Sequence, residues 1–534
     1  YDLQVDTIVT IGTKEYSIDF ISDEMVVLRD QMYPLFTEEM PREVFDRRIR
    51  ENPANDHLKV YRKPSEEPAE KDREEPAPAQ EMAQEQEDGF TGIKPEDNPF
   101  EKEPEEVLED LAPAWAQKKP AGRVRGFDLH PEIPQESRSQ YRITDEHLGE
   151  GTAKEKFRAN LMAIQLLKKC EEENRFAKPK EHELLAGYVG LGGLSDAFDE
   201  TKSSWSTEYL ELKTVLTEEE YAAARQSTLT AFYTPPVVIS AMYQALENMG
   251  LKSGNILEPS CGTGNFIGRK PESLSDCKVY GVEIDSISAR IAQQLYQKST
   301  IAAQGFEDAD LPDSFFDVVI GNVPFGSYKV LDRKYDKYNF LIHDYFIAKS
   351  IDKTRPKGVL ALITSNGISG GTMDKRDDRV RRYIAQRCDL LGAIRLPNNA
   401  FLANAGTEIN TDILFFQKRE TPRDLNVDLP DWVEVEKIYE NDHVNEQGES
   451  RHRVVSINPY FQQHPEMVLG EQEIVSGPYG PQLVCKPSPD RELKELLEQA
   501  VENLEAEITD YEAEELVEEE DHSIPADPSV ANFS

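Results

Sequence analysis

The most regular feature of the chain is a set of short apolar runs separated by stretches with helical spacing. Strand-like runs fall at Asn255–Leu257, Val279–Glu283, Thr300–Gln304, Asp317–Gly321, Val359–Thr364, Leu390–Leu396 and Asp412–Phe416. Helical stretches lie between most of them, at Ser286–Gln297, His343–Asp352 and Asp377–Arg387, and another, Pro236–Met249, precedes the first strand. Strands that read as continuous apolar runs, rather than alternating ones, belong to sheets buried on both faces. The pattern therefore predicts an α/β fold with a seven-stranded, Rossmann-like, doubly wound sheet. In such sheets a ligand binds beyond the carboxyl ends of the strands, where the strand order reverses.

The flanks follow other patterns. Residues 1–60 alternate as strands do (Thr7–Ile11, Tyr16–Phe20) and then turn helical around Arg42–Arg50, which predicts a small α+β module. Residues 61–140 are rich in Pro, Glu and Gln and have few large apolar groups; burial there cannot offset the entropy of ordering, so a disordered linker is expected. From Asp145 helical spacing returns with Phe157, Leu161, Ile164 and Leu167, giving a helical part to 230 and an α/β core over 231–420. The glycine-rich run Gly187–Leu194 follows no strand and precedes no Gly-Lys-Ser/Thr, so it reads as a turn and not a phosphate loop. Beyond 420 an acidic extension is expected, with a helix near 489–520.

Charge changes the picture. The net charge is −41, which seems to argue against nucleic acid as a partner, yet residues 221–420 carry +2 and the remainder −43. The acid belongs to the flanks, and the expected core is nearly neutral. No apolar run is long enough to span a bilayer, so no membrane segment is expected. Five scattered cysteines without a Cys-x-x-Cys pair point to a reducing, cytoplasmic setting and away from a structural zinc site, and no metal is expected. The chain opens on Tyr1 in strand-like sequence without an initiator Met, which suggests a piece of a longer protein.

The chemistry is concentrated at three strand ends. The first strand runs into Glu258-Pro259-Ser260-Cys261-Gly262-Thr263-Gly264-Asn265-Phe266. Glycines there let the backbone turn sharply and approach a ligand. The second strand ends at Glu283, and a carboxylate at that position can accept hydrogen bonds from both hydroxyls of a ribose. Ile267 replaces the third glycine of a dinucleotide loop, which favours a nucleoside cofactor without a pyrophosphate. The fourth strand ends in Asn322-Val323-Pro324-Phe325. The exocyclic amine of adenine is a poor nucleophile because its lone pair is delocalised into the ring. Two acceptors, the Asn322 side-chain oxygen and the Val323 carbonyl, can hold its two hydrogens, and Phe325 can stack on a base removed from its helix. A tight turn with Phe325 in the core is the competing interpretation, and the spacing from Glu283 weighs against it.

These residues resemble the amino-methylating DNA methyltransferases, in which an Asp/Glu-Pro-x-x-Gly-x-Gly loop precedes Asn-Pro-Pro-Tyr/Phe. Ala231-Phe232-Tyr233-Thr234-Pro235, Ile394-Arg395-Leu396-Pro397, Phe401, Gly406-Thr407-Glu408 and Asp412–Arg419 look like the class containing type I modification subunits. The stretch from Gly187 through Gly321–Gly326 and His343–Phe346 to Arg419 is similar to the methylase region of very large methylase–helicase proteins of bacterial conjugative and integrative elements. The resemblance implies an S-adenosylmethionine methyltransferase fold over about 145–420, a DNA partner with a flipped adenine, and a helicase domain in the same full-length chain. It also implies that Gly262 and Gly264 line S-adenosylmethionine, with Glu258 near its amino acid end and Thr234 by its methionine portion. Glu283 would hold the ribose and Phe306 would flank the adenine. Two positions depart from the pattern: Val323 stands where Pro is common, and Gly305 where an Asp often meets the cofactor's adenine amine. Two rival readings are methylation of RNA or of a protein glutamine, and an inactive DNA- or cofactor-binding module serving a helicase. Recognition sequence and oligomeric state are not legible.

Overall fold

The computed structural model describes residues 7–11, 14–21, 25–30, 37–51, 55, 128–227, 234–326, 328–366, 371–402, 408–444, 450–477 and 480–508. Two compact units are distinguished: a smaller one holding the N-terminal strands and Phe325–Tyr345, and a larger one holding the central sheet.

In the smaller unit β1 (Ile8–Ile11), β2 (Lys14–Ile21), β3 (Met25–Asp30) and β4 (Thr37–Pro41) form an antiparallel meander, followed by α1 (Arg42–Glu51). Alternation decides which side chains go inward: Tyr16 and Ile18 on β2 and Val26 and Leu28 on β3 are buried with Phe45 and Ile49 of the helix. The stretch 325–345 forms a lobe with bonds of its own. The Ile342 amide donates to the Tyr328 carbonyl at 2.9 Å. The Tyr345 hydroxyl donates to Asp332 Oδ2 at 2.9 Å, and the Tyr338 and Phe340 rings stack at 5.1 Å.

The larger unit opens with α2 (Ala153–Glu172), started by a capping box in which the Thr152 hydroxyl accepts from the Glu155 amide and the Glu155 carboxylate accepts from the Thr152 amide. Its buried face is Phe157, Leu161, Ile164 and Leu167, the positions the helical spacing singles out. Then come α3 (Pro236–Asn248), β5 (Gly254–Glu258), β6 (Cys277–Glu283), α4 (Ser286–Leu295), β7 (Thr300–Ala303), β8 (Phe316–Asn322), α5 (Ile342–Lys353), β9 (Thr354–Ser365), α6 (Arg379–Arg387), β10 (Cys388–Leu396) and β11 (Thr411–Lys418). The seven strands lie in the order β10-β11-β9-β8-β5-β6-β7. All neighbours are parallel except β11, which runs antiparallel to both β9 and β10. The chain travels outward from β5 through β6 to β7 and then restarts at β8 on the other side of β5. The reversal point is thus the seam between β5 and β8. Strand interiors are apolar and fully buried, Val359–Ile363 and Ile413–Phe416 throughout.

Two expected boundaries need correction. Of the 61–140 linker, residues 61–127 lie outside the described residues, whereas 128–140 are built into the larger unit. Arg138 is buried and donates to Asp128 Oδ2 and to the His130 carbonyl, each at 2.8 Å, and the Ser139 amide donates to Gln297 Oε1 at 3.0 Å. Order there comes from hydrogen bonds within the segment and to Gln297, just beyond α4, which composition does not register. The segment after 420 is likewise no separate extension as far as residue 508. Hairpins β12 (Glu436–Val444) with β13 (Ser450–Ile457) and β14 (Gly470–Gly477) with β15 (Gly480–Pro487) belong to the larger unit, as does α7 (Leu493–Glu502), packed against α3. The Leu469 amide donates to the Arg395 carbonyl at 2.9 Å and the Asn398 amide to the Cys485 carbonyl at 2.7 Å, tying the second of these hairpins to the end of β10. The helix expected near 489–520 is described only as Leu493–Glu502; residues 503–508 are not helical and 509–520 lie outside the described residues.

Candidate active site

The end of β5 turns through two glycines in the left-handed region, Gly262 at φ +54° and Gly264 at φ +83°, into a short helical turn, Asn265–Gly268. The two do different work. A Cβ on Gly264 would collide with the Tyr296 ring, so this glycine permits close packing beneath the loop. A Cβ on Gly262 would meet no atom within 4 Å, so this glycine faces open space. The loop is held to the end of β6 by two bonds: the Cys261 amide to the Val282 carbonyl at 2.9 Å and the Gly262 amide to Glu283 Oε2 at 2.8 Å. The other Glu283 oxygen accepts from the Asp285 amide at 2.7 Å. Asp285 in turn caps α4 by accepting from the Ser288 amide at 3.0 Å.

Two carboxylates share this end of the sheet. Glu258 is buried and its Oε2 has no hydrogen-bond partner. Loss of water, and then the Glu283 charge, push its carboxyl well above the usual carboxylate range. Glu283 is pushed up to about 7, chiefly by loss of water, with the amide hydrogens of Asp285 and Gly262 opposing the shift and the Asp285 charge adding to it. Glu258 is buried and Glu283 half-buried, and a ligand with an ammonium or sulfonium centre would favour their ionised forms.

Across the seam, Asn322 ends β8 with its side-chain Oδ1 buried and unpartnered. Its backbone is fixed from both sides. The Ser260 hydroxyl donates to the Asn322 carbonyl at 2.7 Å, and the Val323 amide donates to the Ile363 carbonyl of β9 at 3.1 Å. A buried amide oxygen without a donor costs free energy on the order of 1–3 kcal/mol, and such exceptions call for a functional account.

Glu258, Gly262, Gly264, Glu283, Asn322, Val323 and Pro324 thus gather at the carboxyl ends of β5, β6 and β8. Thr234 is buried immediately before α3, and the motif residues 231–233 ahead of it lie outside the described residues. Phe306 follows the end of β7 and is buried, its ring 5.0 Å from that of Phe346 and 5.2 Å from the Lys349 ammonium. Phe325 comes next in the chain after Pro324 and begins the lobe of the smaller unit. Two residues escape sequence reasoning. Ser260 sits inside the loop motif, but its bond to Asn322 is visible only in space. Glu307 brings its carboxylate against Gly305, where a Cβ would run into it; an acid therefore occupies the neighbourhood that the Gly305 departure left without one. Among the described residues no cluster of three or more His, Cys, Asp or Glu could hold a metal ion, and no helix is long and apolar enough to cross a membrane.

Comparison with known proteins gives concordant matches. Residues 216–464 match the family model described as N-6 DNA Methylase. The chain is 28% identical over 277 residues to the "Defense against restriction protein B" of Escherichia phage P1, a match covering 51% of this chain and 10% of that protein. It is 26% identical over 220 residues to the methylase subunit of the EcoEI type I restriction enzyme of Escherichia coli, covering 36% of this chain and 44% of that subunit. Among solved structures, it is similar to the type I restriction-modification methyltransferase subunit from Streptococcus thermophilus, with 16% identity, a TM-score of 0.27 and coverage of 49% and 66%. The chain spans a tenth of the length of the phage relative and under half that of the Escherichia coli subunit. The cofactor implied by the family match is S-adenosylmethionine.

Proposed function

With an N-6 DNA methylase domain over residues 216–464 as the premise, we propose that this chain transfers a methyl group to the exocyclic amine of an adenine flipped out of DNA. We further read it as the methylase part of a longer methylase–helicase protein of a mobile element. The observation that carries the first reading is the buried, unpartnered Oδ1 of Asn322 on a backbone pinned by Ser260 and Ile363. A preorganised acceptor lacking a donor suits an amine that arrives with two hydrogens to give.

The residues fit the implied cofactor. Glu258 would meet its amino acid end beside Thr234, the Gly262 and Gly264 backbone would lie along it, Glu283 would accept from its ribose, and Phe306 would flank its adenine. When bound, S-adenosylmethionine supplies an electrophilic methyl group on a positively charged sulfur. Asn322 Oδ1 and the Val323 carbonyl hold the target amine, drawing its lone pair out of conjugation with the ring, and Phe325 stacks on the base. Positioning, with the reacting nitrogen aligned and water kept out, is the protein's contribution. The test is labelled methyl transfer to unmethylated DNA with nucleoside analysis of the product. N6-methyladenine is expected; label found only in RNA or protein would overturn the reading.

Glu307 takes the place of the missing acid at Gly305, accepting from the adenine amine of the cofactor. Glu307→Ala is expected to weaken S-adenosylmethionine binding by about 1.5–3 kcal/mol, the range for hydrogen bonds to charged groups. Titration calorimetry reads this directly, and unchanged affinity would remove Glu307 from the site.

Cofactor binding is also expected to release protons. A raised carboxyl pKa means the ligand-free site holds protons near neutral pH, on Glu258 and, below about 7, on Glu283. Accepting hydrogen bonds from both ribose hydroxyls and facing an ammonium both favour the ionised form. Affinity should therefore rise with pH between 6 and 8, by at most about tenfold per unit for each proton released. Calorimetry in buffers of different ionisation enthalpy counts those protons. Glu258→Gln should lower the count and weaken binding, whereas affinity that is flat across this range would contradict the arrangement.

A further inference from the structure

The lobe that runs from the catalytic motif into the first turn of α5 carries a surface unlike the rest of this acidic chain. Leu331 is 87% exposed, the most exposed of the large apolar side chains among the described residues. Around it in sequence stand Lys329, Arg333, Lys334 and Lys337, all exposed. The two acids interspersed among them also bond within the loop. Asp332 accepts from the Lys334 amide at 3.1 Å and from the Tyr345 hydroxyl at 2.9 Å, and Asp336 accepts from the Asp332 amide at 2.9 Å. Tyr335, Tyr338, Phe340 and Tyr345 are buried in the lobe, and the turn is closed by Asn339 in the left-handed region at φ +56°. The apolar tip is therefore not a core residue that failed to find a core. It is an exposed side chain presented on a built support among cations.

Resting on the methyltransferase reading above, we propose that this lobe grips duplex DNA, with Leu331 as the wedge that enters the base stack when the target adenine leaves it. Charge complementarity selects the partner. Exposed Lys and Arg beside an apolar tip match a phosphate backbone and the space between base steps, the combination used by side chains that wedge into DNA. Chain connectivity agrees with this. Leu331 follows Pro324 by seven residues, a span of at most about 25 Å when extended, so the tip is tethered within reach of a duplex engaged by the catalytic motif. Holding the gap open lowers the cost of extruding a paired base, a cost already small where the base is mismatched or unpaired.

The experiment has two arms on the full chain. In the first, a fluorescein-labelled mixed-sequence duplex is titrated over a range of salt concentrations. The triple variant Lys329→Gln, Arg333→Gln, Lys334→Gln is expected to lose tenfold or more in affinity and to flatten the slope of log K against log salt by about 0.9 for each phosphate contact removed. A slope equal to the parent's, or a parent that binds no DNA, overturns the lobe assignment. In the second arm, Leu331→Ala is expected to lower methylation of paired adenines about tenfold while sparing adenines opposite abasic sites. An equal loss on both substrates, or none on either, overturns the wedge. A parent that binds DNA with a lobe-dependent salt slope yet methylates nothing sinks the methyltransferase reading and the wedge together, while supporting the grip. All four side chains are exposed, so unchanged thermal melting is expected to accompany every variant.

Discussion

Asn322→Ala is expected to reduce methyl transfer by at least about a hundredfold while leaving S-adenosylmethionine affinity within about twofold of the parent. The size follows from the role. A preorganised polar group aimed at charge that develops in the transition state is worth about 10²–10³ in rate when removed, and the amine nitrogen gains positive charge as its new bond forms. The split between chemistry and binding follows from position. Asn322 ends β8, whereas Glu258 and Glu283, proposed to meet the cofactor, end β5 and β6, and the two strand ends are joined by the Ser260 bond to the Asn322 carbonyl, which alanine retains. The ligand-free variant should also be no less stable than the parent, because the substitution deletes a buried oxygen that had no partner. Single-turnover transfer, cofactor calorimetry and thermal melting together test this. Transfer that survives in Asn322→Ala places the chemistry elsewhere.

Most of the sheet was legible because its strands are buried on both faces. Val359–Ile363 and Ile413–Phe416 need no alternation to be recognised, and the helices between them carry periodic apolar faces. The reversal point was legible because the motifs at Glu258–Gly264 and Asn322–Phe325 sit at the strand ends that flank it. The C-terminal hairpins were not. Strands such as Gly470–Gly477 (GEQEIVSG) carry too few apolar residues to stand out, and their attachment to β10 runs through backbone bonds from Leu469 and Asn398 that leave no mark on composition. The same holds for 128–140, ordered by Arg138 and Ser139. Within the candidate site, residue types and spacing single out the glycines, Glu283 and Asn322. The bond of Ser260 to Asn322 and the approach of Glu307 to Gly305 exist only in the folded chain.

Arg395 ties the central sheet to the segments that follow it, and its loss is expected to be the most destabilising single change considered. The side chain is buried at the end of β10. It donates to both oxygens of Asp412, each at 2.9 Å, and pairs with Asp374 at 2.8 Å, while its guanidinium lies 3.8 Å from the Phe461 ring centroid. Asp374 also accepts from the Asn458 amide at 2.8 Å and from the Asn366 side chain at 3.0 Å. One cation therefore joins β10, β11, the segment after β9 and the segment before β14. Arg395→Leu leaves two buried carboxylates facing each other without a counter-charge, and removing one partner of a buried ion pair costs about 3–5 kcal/mol. The cost should depend on pH in a definite direction. Burial already raises the Asp412 carboxyl against the opposing pull of Arg395; without Arg395 it would rise further and take up a proton as the pH falls. The deficit in urea unfolding should thus be largest near pH 8 and shrink toward pH 5. Arg395→Lys, which keeps the charge but loses the two-pronged bond, should fall between the parent and the leucine variant. Because residues 458–469 are held through the same cluster, amide exchange in β13 and β14 should rise in Arg395→Leu together with that of β10. Exchange confined to the hairpins, with the sheet unaffected, would show that the C-terminal segment is an independent layer and that Arg395 does not join it to the catalytic core.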